Sequence, residues 1–490
     1  MSDRTTGSPG GQGIDDHHRG GLGGLSTGCY ARMNGYRTHI LEMHELPGGC
    51  CTAWDRGGFT LDACVSWLLG SGPGNEMHQI WLELGALQGK EIRHFDVFNI
   101  VRGQDGRAVH FYSDPDRLEA HLIGISPADA RTVRKFCNQL RSFRKALAVY
   151  PFLKPVGLMG RLERWRMLAS FVPYFNAVRT TITVLMTEYS AKFQDPLLRE
   201  AFNFILYEKH PNFPVLPFHF QLASHANLSA GVPEGGSLGL ARSIEARYRR
   251  LGGEISYNTK VETVIVEEDR AVGVRLSDGS ELRADIVVSA CDGYTTTMKF
   301  LKGAYLGEEY RKLYTETIHE PGMVFPGYFT LFLGLSRPFP EGDPCTTYLL
   351  DEATAAKLTG IRHASINVQF RSRHYPELSP DGTTVVYATY FSDIAPGGPW
   401  TKAPSRSPVP GAARSCTPCR SATAAATTPP NGGRARRWWS SWKSASRASV
   451  TPSSYGTSPA PSPRSATPAT TTARSWAGSP SWRAARSSKS

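Results

Sequence analysis

The last 90 residues of this 490-residue chain contain no Asp or Glu, and they also lack Leu, Ile, Phe, Met, Gln and His. A segment without these side chains cannot build a hydrophobic core. The same 90 residues hold 14 Lys and Arg, so residues 1–400, with 41 basic and 43 acidic side chains, are close to neutral although the whole chain carries +12. The positive charge belongs to the tail, and we expect no nucleic-acid partner for the rest.

Signals for export and membrane insertion are also missing. Residues 1–20 are polar and rich in glycine, and no run of 18 apolar residues occurs in the chain. We therefore expect neither a signal peptide nor a transmembrane helix. Nine cysteines, an odd number, fit a reducing compartment, and the Cys416–Cys419 pair has no second pair that could complete a zinc site. A cytoplasmic protein without a metal is expected.

Three interpretations of the tail remain open. The first is a disordered arm that binds nucleic acid or anionic lipid, through Trp438, Trp439 and Trp442 near arginines. The second is an inert linker. The third is the product of a gene rich in G and C that is read out of frame in this region. The third interpretation rests on codons, because Arg, Ala, Pro and Gly all have codons that begin with two G or C bases.

A glycine-rich loop opens the part of the chain that has an ordinary composition. Residues 20–25 read GGLGGL, and the pattern after them predicts a short helix with Leu25, Cys29 and Met33 on one face and an end at Asn34. Backbone N–H groups of glycines at a helix N-terminus can approach a pyrophosphate closely. The loop is therefore a candidate phosphate site.

An acidic residue follows at the spacing that such a loop requires. Residues 37–41 predict a strand, and Glu42 ends it, 18 positions after Gly24. A carboxylate roughly 20 residues after the glycines binds the ribose in dinucleotide-binding βαβ units. The segment is therefore predicted to be the second half of such a unit.

The first half of that unit is not recognisable. Residues 14–18 read IDDHH, which cannot be the buried apolar strand that precedes a glycine loop, and Arg19 occupies the first glycine position. If Arg19 has a CGN codon, reading the codons of residues 15–20 one base later permits the sequence Met-Ile-Ile-Ile-Gly. This sequence is typical of a buried strand that leads into a glycine loop. We hypothesise that the chain is out of frame up to about Gly20.

Three blocks in this order resemble the FAD-dependent phytoene desaturase, carotenoid isomerase and retinol saturase superfamily. They are GGLGGLS from Gly20, Leu41-Glu42, and PGGCCTAW from Pro47, which continues as GGFTLDACVSWLLGSGP. The resemblance implies that FAD is the cofactor. It also implies that the cofactor is bound by Gly21, Gly23, Gly24, Glu42 and the backbone of Gly48 and Gly49, with Arg56 and Asp62 nearby.

A second set of matching segments lies in the middle of the chain. VPEGGS from Val232 precedes a predicted helix over 238–250, and the short strands that follow are predicted at 254–258, 261–267, 271–276 and 285–291. In the resembled family, the residue that matches Val261 touches the adenine through its backbone. The strand that ends at Asp292 returns the chain to the flavin.

The resemblance implies an α/β fold with a discontinuous Rossmann-like FAD-binding domain and a mixed α+β substrate domain. The family's C-terminal glycine-rich FAD segment has no counterpart here, so with the first strand also missing we expect two cofactor walls to be absent. We predict a leader that is disordered or out of frame (1–19), two FAD-binding parts (20–75 and 225–300), a helical and a strand-rich substrate part (76–224 and 301–395), and a disordered or out-of-frame basic tail (396–490).

Basic and apolar residues alternate in the helical part. Residues 141–179 hold eight Lys and Arg against the single acid Glu163, interleaved with aromatic and aliphatic side chains. Two interpretations remain open. The segment is an interfacial surface that collects an apolar substrate from a membrane, or it is a core-facing helix pair with a solvated basic edge.

By resemblance, the function is flavin hydride transfer on carbon–carbon bonds of a polyene or isoprenoid lipid, and no catalytic acid or base stands out. One alternative is a FAD-dependent amine oxidase. Another is an inactive frameshifted product whose basic tail binds nucleic acid or lipid non-specifically. The oligomeric state is left open.

Overall fold

The computed structural model describes residues 20–74, 76–147, 154, 156–206, 213–320, 327–339, 345–357, 364–373 and 375–392. The α-helices are α1 (Leu22–Met33), α2 (Glu76–Glu83), α3 (Pro115–Ile125), α4 (Ala130–Leu147), α5 (Arg161–Phe171), α6 (Phe175–Ile182), α7 (Met186–Ser190), α8 (Pro196–Asn203), α9 (Val215–Ala226), α10 (Gly236–Arg250), α11 (Glu308–Thr315) and α12 (Glu352–Ala355). The strands are β1 (His39–Leu41), β2 (Trp54–Arg56), β3 (Phe59–Leu61), β4 (Leu68–Leu69), β5 (Ile92–Arg93), β6 (Val97–Arg102), β7 (Ala108–Tyr112), β8 (Ala230–Pro233), β9 (Glu254–Ser256), β10 (Val261–Glu267), β11 (Arg270–Leu276), β12 (Glu281–Arg283), β13 (Gly327–Leu335), β14 (Cys345–Leu349), β15 (Ser365–Phe370) and β16 (Thr384–Ser392).

A six-stranded mixed sheet forms one side of the fold, in the order β13-β16-β15-β14-β6-β7. Its neighbours are antiparallel except β14 and β6, which run parallel. Helix α4 buries Val133, Phe136, Cys137, Leu140 and Phe143, a stripe with spacings of three and four residues that packs against α9. We call this region the Phe136 core.

The glycine loop lies on the other side, beside a short parallel sheet. Strand β1 pairs with β9 in parallel, and helices α1 and α10 pack together through Leu25, Cys29, Ile244 and Tyr248. A Cβ on Gly28 would lie 2.7 Å from a ring carbon of Tyr248, so this position requires glycine for helix packing. We call this region the β1–β9 side.

Most of the elements expected from the sequence are present. β10 has the predicted bounds, β11 is one residue longer than predicted, and α1 ends at Asn34 as expected. The predicted apolar face of α1 is shorter than expected, because Leu25 and Cys29 are buried whereas Met33 is 37% exposed. The mixed α/β fold is confirmed.

The strand predicted at 285–291 is wrong. The segment has no strand partner among the described residues, and Ile286 and Val288 are each 62% exposed. A strand is stable only when its N–H and C=O groups pair with a neighbour. No described strand offers such a pairing to residues 285–291.

Every helix in the described part of the chain is too short or too polar to cross a bilayer. The expectation of a disordered tail and leader concerns residues that lie outside the described ranges.

Candidate cofactor site

The N-terminus of α1 is open to a ligand. Gly21 precedes the helix in an extended conformation, supplies no side-chain cap, and accepts a hydrogen bond from the Leu25 N–H at 3.0 Å through its carbonyl. Gly23 is exposed, and a Cβ there would meet no atom within 4 Å. The first turn of α1 contains no acidic residue. A helix end of this kind attracts an anion, because its first N–H groups lack intrahelical partners.

Glu42 brings a fully buried carboxylate to this loop. Its backbone continues the β1–β9 pairing, with a 2.8 Å bond from the Glu42 N–H to the Ser256 carbonyl. Its Oε2 accepts the Gly20 N–H, and its Oε1 accepts the His44 N–H at 2.8 Å. The Glu42 carboxylate is thereby held against the backbone at the start of the glycine loop.

The Pro-Gly-Gly turn closes the third side of the site. Gly48 has φ +109° and Gly49 φ +61°, a backbone region that favours glycine. A Cβ on Gly48 would collide with the Cys51 carbonyl, so no larger residue fits there. The Gly48 N–H donates to the Gly20 carbonyl at 2.8 Å, and Gly48 forms a parallel bridge with Gly21. The three sequence blocks therefore meet in space.

The start of α10, which follows Gly235, differs from the start of α1 because a side chain of the protein binds there. Asp62 is 1% exposed, and its carboxylate accepts both the backbone N–H and the hydroxyl of Ser237, each at 2.6 Å. It also accepts the Cys64 N–H at 3.2 Å. Since Ser237 lies in the first turn of α10, Asp62 already occupies that helix end. The expectation that Asp62 lies near the cofactor stays a prediction.

A buried arginine joins this cluster, and sequence reasoning missed it. Arg371 is 2% exposed, donates from Nη2 to the Asp62 carbonyl at 2.9 Å, and lies 5.2 Å and 5.4 Å from the ring centroids of Tyr375 and Tyr387. Burial is the main cause that raises the pKa of both tyrosines. The only sequence signal was a cation that follows an apolar stretch, which is also typical of solvent-exposed arginines.

The three remaining predicted residues are Arg56, Val261 and Asp292, which lie at separate places along the chain. Arg56 lies exposed on the β2–β3 hairpin and donates to the Asp55 carbonyl at 3.0 Å. Val261 is buried at the start of β10. Asp292 is exposed and accepts the Thr295 N–H at 2.8 Å. Their roles at a cofactor stay predictions.

A small cavity lies between residues 66 and 67 and strands β6, β14 and β15 of the six-stranded sheet. Its volume is about 20 Å³, room for a single water, and it is lined by aromatic side chains, Arg371 and His225. Burial, and secondarily the neighbouring His94, lowers the pKa of His225 to about 4, so this imidazole is neutral near pH 7. The cavity as it stands does not hold a large apolar molecule.

The residues present fit the diphosphate and ribose portion of FAD. The uncapped helix end, the open space at Gly23 and the buried Glu42 carboxylate suit a pyrophosphate with an adjacent diol. Of the predicted binding residues, the structure gathers Gly21, Gly23, Gly24, Glu42, Gly48 and Gly49 in this one place.

Comparisons with known proteins identify the family of the chain. The family described as flavin containing amine oxidoreductase matches residues 22–409. The phytoene desaturase (lycopene-forming) of Pseudescherichia vulneris is 26% identical over 66% of this chain and 63% of its own length. The chloroplastic prolycopene isomerase of Daucus carota is 24% identical over 76% of this chain and 60% of its own length. This chain therefore spans less than two thirds of these relatives.

One solved structure supports the fold. An oxidoreductase from Methanosarcina mazei superimposes with a TM-score of 0.50 at 18% identity, covering 78% of this chain and 79% of that one. This similarity concerns the fold alone.

Proposed function

Because the chain belongs to the flavin-containing amine oxidoreductase family, whose cofactor here is FAD, we propose that it oxidises, saturates or isomerises carbon–carbon bonds in a polyene or isoprenoid lipid. The observation that carries the proposal is the convergence of Gly21, Glu42 and Gly48 around one open helix end. The desaturase and isomerase names of the relatives support the substrate class.

The residues of this chain hold and orient the cofactor. The N–H groups at the start of α1 bind the pyrophosphate, and the Glu42 carboxylate accepts hydrogen bonds from the ribose hydroxyls. The backbone of Gly48 permits close approach because no side chain is present. Bound FAD supplies the hydride chemistry, for which no acid or base side chain of the protein is required.

A membrane surface is the proposed source of the substrate. Leu158, Leu162, Trp165, Leu168, Val172 and Phe175 follow one another at spacings of three or four residues and are 54–72% exposed. This exposure favours the interfacial interpretation for residues 158–175, whereas Phe143, in the same basic stretch, is buried in the Phe136 core. Arg161, Arg164 and Arg166 lie on the same helix, so anionic lipid would be attracted to it.

Vesicle binding tests the membrane proposal. The full chain is expected to sediment with vesicles containing phosphatidylglycerol and to bind neutral phosphatidylcholine vesicles less. Trp165→Ser should weaken sedimentation, whereas the matched Trp54→Ser on the β2–β3 hairpin should not. Equal binding of both variants would contradict the proposed surface.

Flavin titration tests the cofactor site. The purified full chain is expected to quench FAD fluorescence and to show flavin absorbance after desalting. Glu42→Gln should weaken FAD binding by about tenfold, since a neutral amide loses a charge-assisted bond worth about 1.4 kcal/mol. Glu45→Gln, a nearby exposed carboxylate, serves as the control. Equal binding by wild type and Glu42→Gln would contradict the assignment.

Substrate assays separate the desaturase-like function from its alternative. FAD-loaded protein is expected to change the visible spectrum of a polyene presented in vesicles. Release of hydrogen peroxide with a primary amine, and no change in the polyene, would instead favour the amine oxidase. A cytoplasmic location is proposed with this function, on the argument from the reducing compartment.

A second candidate is an inactive product of a shifted reading frame. The exposure of Ile286 and Val288 favours it, because these residues alternate as in a strand that needs a neighbour. Restoring Met-Ile-Ile-Ile-Gly at residues 15–19 by two compensating single-base changes should increase FAD affinity. An unchanged affinity, or a genomic sequence that shows an intact frame, would contradict this candidate.

A further inference from the structure

The small cavity beside Arg371 combines a buried positive charge with apolar walls. Arg371 is 2% exposed and lines the cavity together with Ser66, Gln369, His225 and Cys345. Aromatic side chains form the rest of the wall, and none of the described lining residues is an Asp or Glu. The cavity is therefore a confined space next to a cation.

The hydrogen-bond partners of the Arg371 guanidinium are all neutral. Nε and Nη2 donate to the Asp62 carbonyl at 3.3 Å and 2.9 Å, and Nη1 donates to the Ser66 hydroxyl at 3.2 Å. Nη2 also lies 3.5 Å from the Val65 carbonyl oxygen. The Asp62 carboxylate binds Ser237, and no described carboxylate forms an ion pair with Arg371. A buried cation without a countercharge is costly, so an anion beside it would stabilise the folded chain.

Two N–H groups are available to such an anion. Nη1 carries two hydrogens and donates one to Ser66, which lines the same cavity, so the second hydrogen lies at this end of the guanidinium. Gln369 Nε2 donates one hydrogen to Asn367 Oδ1 at 2.8 Å and carries a second. His225 is neutral near pH 7, because burial lowers its pKa to about 4. The positive charge of the lining therefore resides on Arg371.

We propose that this cavity is a binding site for a small monovalent anion such as chloride, held by hydrogen bonds from Arg371 Nη1 and Gln369 Nε2. Its volume of about 20 Å³ admits a group close to a water molecule in size, as a halide ion is, and excludes larger oxyanions such as phosphate. Hydrogen bonds from a guanidinium to an anion are among the stronger ones in proteins. The site does not depend on the proposed cofactor or lipid substrate.

A bound anion would strengthen a link between distant segments of the chain. Arg371 follows β15 and binds the Asp62 carbonyl. The Asp62 carboxylate binds Ser237 at the start of α10, and the Asp62 N–H donates to the Tyr387 hydroxyl on β16. An anion that neutralises Arg371 favours its buried position and therefore stabilises these contacts. We expect chloride to raise the thermal stability of the protein.

Thermal unfolding at constant ionic strength tests the proposal. The full chain is purified in sodium gluconate, whose anion is too large for the cavity, and sodium chloride then replaces the gluconate stepwise. The melting temperature Tm should rise by about 2–4 °C and reach a plateau, as binding at a single site requires. Sodium bromide should have the same effect. A Tm that stays unchanged, or that rises without a plateau, would overturn the proposal.

Three variants assign the chloride effect to the cavity. Gln369→Leu removes one donor and keeps the buried charge, so about tenfold more chloride should be needed for half of the Tm shift. Arg371→Met should abolish the shift. The matched control Arg373→Met removes an exposed arginine two positions away and should respond to chloride as wild type does. Equal chloride midpoints in Gln369→Leu and wild type would contradict the assignment.

Crystals of the wild-type chain soaked in sodium bromide give a result that does not depend on the folding of any variant. Anomalous diffraction should place one bromide within hydrogen-bond distance of Arg371 Nη1 and Gln369 Nε2. Density in the cavity without an anomalous signal would identify a water molecule and overturn the proposal. Bromide in the crystal without the Tm plateau in solution would also overturn it, because it would show binding at crystal concentration only.

Discussion

The Phe136 core and the segment at residues 285–291 belong to the same chain, yet they differ in how completely their apolar residues are covered. Phe136 is fully buried against Phe202, Phe218 and His219. In the 285–291 segment, which follows β12, Ile286 and Val288 have a strand-like pattern and remain exposed. The rings that enclose Phe136 come from α8 and α9, which both lie in the described part of the chain. A parallel strand, in contrast, depends on a neighbour that comes from a distant segment.

The largest effect is expected in the Phe136 core. Phe136→Ala should lower the free energy of unfolding by about 3–5 kcal/mol, because it leaves a cavity between four ring contacts. Urea denaturation followed by circular dichroism measures the change. Phe175→Ala is the control, since Phe175 is 64% exposed and its loss should cost within about 0.5 kcal/mol. Equal losses in the free energy of unfolding at the two positions would contradict the predicted difference between buried and exposed aromatic side chains.

The Phe136 core should also lose stability in acid. Burial lowers the pKa of His219 to about 4 from an ordinary value of 6.5, although the Phe136 and Val215 carbonyls partly offset burial. Between these pH values the unfolded chain binds a proton that the folded chain excludes. Above pH 6.5 His219 therefore does not lower the free energy of unfolding. As the pH drops to about 4, this free energy falls by about 3 kcal/mol.

Urea midpoints measured across this pH range test the acid effect. His219→Gln should flatten the pH dependence, whereas His39→Gln, at an exposed strand end, should leave it unchanged. A wild-type profile with the same slope as His219→Gln would show that His219 protonates without cost.

An intermediate effect is expected at Asp62, which links α10 to strand β16 of the six-stranded sheet. Asp62→Asn should destabilise the protein by about 1–3 kcal/mol, because the buried carboxylate accepts three hydrogen bonds and an amide oxygen cannot replace both carboxylate oxygens. Chemical denaturation measures the loss. Asp55→Asn, on the exposed hairpin, should change stability little. If Asp62→Asn leaves the free energy of unfolding unchanged, the hydrogen bonds of the Asp62 carboxylate do not stabilise α10.

The smallest effect is expected at the uncovered segment. Ile286→Ser should change the free energy of unfolding by less than about 0.5 kcal/mol, since the side chain is already exposed. The same substitution at Ile244, which is fully buried in α10, should cost about 2–5 kcal/mol. Thermal unfolding of the two variants side by side provides the measurement. Comparable losses would mean that the 285–291 segment is covered in solution.

The local elements and the cofactor loop could be predicted because their signals are short in range. The glycines of the loop, Asn34 at the end of α1 and the alternation in β10 each depend on neighbours within a few residues. The Asp62–Arg371 cluster could not be predicted, because its members lie more than 300 positions apart. No periodicity or spacing links residues at that separation.

The sequence by itself determined the α/β class, the glycine loop, the Glu42 position and the location of the net charge in the tail. These features follow from composition and from patterns that repeat over a few residues. Only the tertiary structure decided that Asp62 holds α10, that Arg371 joins Asp62, and that the 285–291 segment stays unpaired among the described residues. Each of these outcomes depends on whether a distant part of the chain is present to donate, accept or pack, and that is a property of the fold.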